Sequence, residues 1–289
     1  MTWEGFEGRM PDKETDPARE LMLLAEYLVG FSKGKGPTYT VLATAIGVDV
    51  GSPIYLEVLA AIQRRITELE RLVDDTDDPY FDQEHRAQVK AATEAFRTFL
   101  HPSRAANPWA TGVEHHLKPA NIQALRFFGS TARRYRPLKE IPEEERKQAI
   151  DRLNEAIKAV NDDKNLEAWA RVAVVAGLER LAVALKYLRF FGHEAVISEL
   201  LLAHGKISAV ERQTKRTVTI HAALTAINLA CSLFVAPDRV LTAIDRYKTW
   251  PAAVLEHVMK ETPAATKLLP PPAALRPEEP EEQPAAGKG

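Results

Sequence analysis

The side chains with chemistry beyond packing gather in a few places. Arg126, Arg133, Arg134, Arg136 and Lys139 set five positive charges beside Phe127, Phe128 and Tyr135, with no acid among them. Guanidinium groups pair with phosphates and rings stack on bases, so Arg126, Arg133, Arg134, Tyr135, Arg136 and Lys139 form a candidate surface for single-stranded nucleic acid. The alternative is a solvated or partner-binding face, with Phe127 and Phe128 in the core. The arginines would then answer the acidic turn that follows, Ile141–Arg146 (IPEEER), and that adjacent run favours this alternative by compensating the local field. Glu114, His115 and His116 evoke a metal. Adjacent histidines on a helix diverge and no third ligand has the right spacing, so no metal site is expected.

A second constellation lies in Thr217–Ala236, TVTIHAALTAINLACSLFVA, which has no Asp, Glu, Lys or Arg. His221, Thr225, Asn228 and Ser232 fall at i, i+4, i+7 and i+11, one row of polar groups on a helix. The run matches the roughly 20 residues needed to span a bilayer, but lipid offers such a row no partners. The expectation is therefore a buried helix whose polar row hydrogen-bonds its neighbours. Membrane association anchored by 217–236, with Lys215 and Arg216 as its flank, is the alternative.

Thr38–Leu59 carries a further pattern: Leu42-Ala43, three residues, then Gly47-Val48-Asp49, followed by Ser52 and Pro53 as a helix start. The segment resembles the first helix and turn of a helix-turn-helix DNA-binding motif, and the resemblance implies DNA binding through the helix after the turn. It covers about twenty residues, and its turn from Gly47 to Pro53 is longer than the motif's. The helix start reads Ile54, Tyr55 and Glu57, with basic side chains only at Arg64 and Arg65, whereas base and phosphate contacts call for basic or amide groups near that end.

No Gly-rich phosphate loop, nucleophile elbow, His-Glu-x-x-His pair or dinucleotide fingerprint is present, so no enzyme and no cofactor is expected. The 289 residues carry a net charge of −2, which gives no global pull toward nucleic acid or anionic lipid. With 45% hydrophobic and 27% charged residues, the chain has the composition of a globular protein. The single cysteine, Cys231, rules out an internal disulfide framework and points to a reducing, cytoplasmic setting. The acidic first residues lack the layout of a secretion signal, and no export address is expected.

Helical spacing supplies the scaffold. Leu21, Leu24, Leu28 and Phe31 mark a first helix begun by Pro17. Tyr55, Leu59, Ile62, Ile66, Leu69 and Val73 mark a second seam, and His85, Val89, Ala92, Phe96 and Phe99 a third. The short acidic connection between the last two implies an antiparallel hairpin, with Pro79 opening its second arm. Pro119 and Pro142 open two more helices. Asn165–Phe191 is apolar round most of its girth, reads as the central helix and takes Thr217–Ala236 as its partner. Gly192 should end it; a short helix should follow, closed by Gly205, and Ser208 should cap the next.

The chain thus reads as all-α: a multi-helix bundle with an N-terminal antiparallel helical hairpin and a disordered Pro-rich C-terminal tail. The expected divisions are a flexible arm (1–16), the hairpin subdomain (17–100), a linker (101–118), a C-terminal bundle (119–261) and the tail (262–289). The leading functional expectation is a non-catalytic interaction or regulatory protein with a protein partner.

Overall fold

The computed structural model of the chain describes residues 14–31, 34–214 and 218–234, all inside one compact unit, Met1–Val240. The end of the expected C-terminal bundle, from 235 to 261, and the tail lie outside the described residues, as does most of the N-terminal arm. The described residues hold ten α-helices and one two-stranded ladder, so the fold is all-α. The helices are α1 (Pro17–Val29), α2 (Thr38–Ile46), α3 (Pro53–Asp75), α4 (Gln83–Phe99), α5 (Trp109–His116), α6 (Pro119–Tyr135), α7 (Glu143–Asp162), α8 (Ala168–Lys186), α9 (Leu188–Gln213) and α10 (Val218–Phe234). The strands are β1 (Glu14–Thr15) and β2 (Leu138–Lys139), paired antiparallel, which ties the end of the expected arm to the segment after α6.

Local chemistry explains most boundaries. Asp16 caps α1, its carboxylate accepting from the Arg19 amide at 2.7 Å, with Pro17 in the first turn. Gly47 ends α2 in the left-handed region (φ 80°), and Ser52 caps α3 by accepting from the Tyr55 amide at 3.3 Å. Asp82, not Pro79, starts α4, accepting from the His85 amide at 2.9 Å. The ion pairs Glu70–Arg97 and Asp74–Lys90 couple α3 to α4 in opposite senses along the two helices.

Within the stretch 101–118, expected as a linker, Trp109, Val113 and Leu117 are buried in the core while most of the other residues are exposed. Trp109 is fully buried and meets Phe99 edge-on at 5.0 Å. Its backbone is stitched to the start of α2: Thr38 N donates to Asn107 O at 2.8 Å, and Trp109 N to Gly36 O at 3.0 Å. Helices from both sides of this stretch pack together, α6 against α1 and α4, and α9 against α3.

The expected central helix divides. α8 ends at Lys186 with Tyr187 as its C-cap, a single turn follows, and at Gly192 the backbone kinks (φ 77°, ψ 163°) before α9 continues to Gln213. Gly205 and Ser208, expected to close one helix and cap another, lie inside α9. Buried Ala203, Ile207 and Val210 hold it continuous past them, since packing outweighs the small propensity cost of one glycine. α8 packs between α7 and α9, while α10 rests mainly on α7 and α9 rather than on α8.

The polar row of α10 is corrected by the structure. His221, Thr225 and Asn228 are exposed and Ser232 is half-buried, the reverse of the inward orientation expected. The buried stripe is Ile220, Ala223, Ile227 and Ala230, and the hydroxyls turn to their own helix: Thr225 Oγ1 donates to His221 O at 2.9 Å and Ser232 Oγ to Leu229 O at 2.7 Å. Among the described residues no helix is long and apolar enough to cross a membrane.

Candidate functional site: an ionic junction and the outward faces

Four of the five basic residues of 126–139 are tied to acids far away in sequence. Arg126 pairs with Glu26 at 2.7 Å, Arg133 with Asp16 at 3.5 Å, Arg134 with Asp78 at 3.2 Å and Arg136 with Glu194 at 2.7 Å. The acidic turn expected to answer them is engaged locally instead, Glu143 with Arg146. Lys139 sits in β2, opposite Glu14 in the ladder, and Tyr135 is exposed. Phe128 is buried as expected, but Phe127 is exposed. The segment is therefore a fastening strip that draws α1, the α3–α4 connection and α9 onto α6.

The helix-turn-helix-like segment does form two helices around a turn. The inward face of α3 carries Tyr55, Val58, Ile62, Arg65 and Ile66 in the core, and Ile54, Glu57, Ala60 and Arg64 border a cleft shared with α8 and α9. Arg180 and Glu199, joined by two hydrogen bonds at 2.7 and 3.1 Å, lie on that cleft, whose volume is about 250 Å³. Among the described residues no three or more His, Cys, Asp or Glu side chains are placed to hold a metal ion, and Glu114, His115 and His116 are not gathered with other ligands.

Sequence reading missed the most charged part of the interior. Arg65 on α3 is buried and donates through Nη1 to Arg189 O at 2.8 Å and Phe190 O at 3.0 Å, the carbonyls left open where the chain kinks. Its Nη2 lies 3.6 Å from Glu20 Oε2 of α1, an ion pair without a hydrogen bond. The His193 ring touches the other Glu20 oxygen through Nδ1, and the His193 amide donates to Oε2 at 3.4 Å. Gly192 makes room: a Cβ there would stand 2.7 Å from Arg65 Nε. Burial pulls Arg65 below the usual arginine value, with Glu20, Glu68 and Glu194 opposing it. Burial pushes Glu20 up, but the His193 hydrogen bond and the charges of His193 and Arg65 outweigh it and hold the carboxyl below its ordinary value.

At the rim of this junction Glu68 of α3 stands beside Glu194 of α9, close enough for one carboxyl, when protonated, to donate to the other. Burial, then the neighbouring Glu194, push Glu68 up to about 7, with Arg64 and Arg136 pulling the other way. A proton shared by two carboxyls near neutrality has acid–base character. The pair lines neither the cleft described above nor the α4–α6 cleft described below, so it acts as a clasp between helices. Because the folded value lies above the ordinary 4.5, the stability this clasp contributes is fully present below about pH 4.5 and lost as pH rises through about 7. With Glu68 only half-buried, the loss is on the order of 1 kcal/mol after solvent screening. Urea unfolding at about pH 5 and about pH 8 should show it, and Glu68→Gln should flatten the difference.

The remaining reactive group is inert. Cys231 is buried, and desolvation pushes its thiol up to about 12.

Several large apolar side chains stand on the outward faces. α8 buries Ala170, Val174, Gly177, Leu178, Leu181 and Leu185, yet also exposes Trp169 (46%), Val172 (68%) and Ala176 at i, i+3 and i+7. The indole N–H of Trp169 is satisfied by Glu167 at 2.6 Å, leaving the ring face open. No protein-family model, characterised protein or solved structure matches this chain.

Proposed function

We propose that the protein is a non-catalytic helical interaction or regulatory protein, and that a protein partner docks on the outer stripe of α8. The observation that carries this reading is Trp169, Val172 and Ala176 standing exposed on the outer side of a helix that already buries a full apolar face. Stripes at i, i+3 and i+7 are how one helix enters a partner's apolar groove, and tryptophan is enriched among the residues that dominate such interfaces. Pairing of Arg126, Arg133, Arg134 and Arg136 with acids compensates the field a polyanion would need, which favours a protein over nucleic acid. A cytoplasmic setting belongs to the same proposal.

The test uses a photoreactive side chain at Val172 of the full chain, irradiated in the source cells. A discrete protein adduct is expected from position 172, lost when Trp169→Asp is added, and absent with the probe at exposed Lys158 of α7. No adduct from 172, or the same adduct from 158, would contradict the reading.

A further inference from the structure

α4, α6 and the connection between α3 and α4 line a second, open cleft of about 240 Å³. Its floor is the stacked pair Phe81 and Phe128, ring centres 4.7 Å apart, with the His85 ring 6.3 Å from Phe81. Two large rings stand at its mouth, Tyr80 (86% exposed) and Phe127 (64% exposed). The informative feature is that the two exposed rings are gathered at one cleft beside a buried aromatic pair. At one end lies Arg134, its Nη1 held 3.2 Å from the buried Asp78 carboxylate while 66% of its side chain remains exposed. Asp78 is itself occupied by Thr131 at 3.4 Å and by the Tyr80 amide at 3.0 Å, so the carboxylate orients the guanidinium.

We propose that this cleft binds a small ligand joining one planar aromatic ring to a single carboxylate. The ring stacks between the mouth aromatics over the Phe81–Phe128 floor, and the carboxylate accepts from Arg134. Size sets the class: the volume is below the roughly 300–1,000 Å³ of drug-sized sites, so it holds one ring system and not a helix. Charge sets the number of anionic groups. Exposed Asp74, Asp75, Asp77, Asp82 and Glu84 flank the connection, and their field repels a polyanion while a single carboxylate is compensated by contact with Arg134. This inference is independent of the α8 face.

Saturation-transfer NMR on the full chain tests it with indole-3-propionate, the corresponding amide, and a tripeptide ending in tryptophan with a free carboxylate. Saturable binding of an acid is expected, with the amide about tenfold weaker. Arg134→Gln, which keeps a donor for Asp78, and Phe127→Ala, at an exposed ring, should each weaken the acid about tenfold. Tighter binding of the free acid identifies a small-molecule source, and tighter binding of the tripeptide a chain terminus. Equal binding of acid and amide, unchanged affinity in both variants, no saturable binding, or displacement of the acid by less oligothymidylate than tripeptide would overturn the proposal.

Discussion

Arg65→Met is expected to lower the stability of the folded chain by about 3–5 kcal/mol, the cost of leaving a buried charge without its partner. Methionine fills much of the same space, so the loss comes from electrostatics and hydrogen bonding rather than from a cavity. Glu20, largely buried on α1, would face only His193, and Arg189 O and Phe190 O would lose the donor that satisfies them at the kink. Urea unfolding measures the change. Arg152→Met provides the contrast: its pair with Glu155 is exposed on both sides, so the same substitution there should cost about 1 kcal/mol or less.

Gly192→Ala is the second large effect, about 3 kcal/mol or more, because two costs coincide. The backbone at φ 77°, ψ 163° is open essentially to glycine alone, and forcing another residue into it costs about 1–3 kcal/mol. The new methyl group would also lie 2.7 Å from Arg65 Nε and 3.0 Å from its Cδ, pushing the guanidinium off the carbonyls it serves. Gly205→Ala, thirteen residues on in the same helix, should do the opposite. Its Cβ would meet nothing within 4 Å, and alanine in a helix interior is favoured over glycine by about 0.5–1 kcal/mol. Thermal unfolding of the two variants should move in opposite directions.

The helical scaffold was legible because its stripes are regular. Leu21, Leu24 and Leu28, Ile62, Ile66, Leu69 and Val73, and Val89, Ala92, Phe96 and Phe99 are all buried where their spacing places them, and His85 lies exposed at the edge of its seam. α10 was misread because it has no charged residue to mark a solvent side. Its alanines bury as well as larger side chains do, and the hydroxyls of Thr225 and Ser232 satisfy themselves on the helix backbone, so polarity alone did not tell which face turns inward. The burial of Trp109 within 101–118 was not legible, because helix breakers mark turns without saying whether the next residue is core.

The ionic junction was out of reach for a different reason. Glu20, Arg65 and His193 meet across 173 residues of chain, and no local pattern encodes that. One trace was present: Arg65 lies three residues after Ile62 and four before Leu69, on the face that the seam predicts to be buried. A charge in such a stripe needs a partner, and Gly192 supplies the opening through which Arg65 reaches its own. The arginines of 126–139 were recognised as a group, but their partners, Glu26, Asp16, Asp78 and Glu194, are brought to them only by the packing of α1, α3 and α9.

If the buried charges at the kink serve to lock three helices together and not to carry out chemistry, Glu20 and Arg65 must be energetically coupled. The measurement is a double-mutant cycle by urea unfolding of Glu20→Gln, Arg65→Met and the two combined. A coupling of about 1–3 kcal/mol, with the double variant more stable than the sum of the single losses, is the predicted result. Additivity within about 0.5 kcal/mol would contradict it.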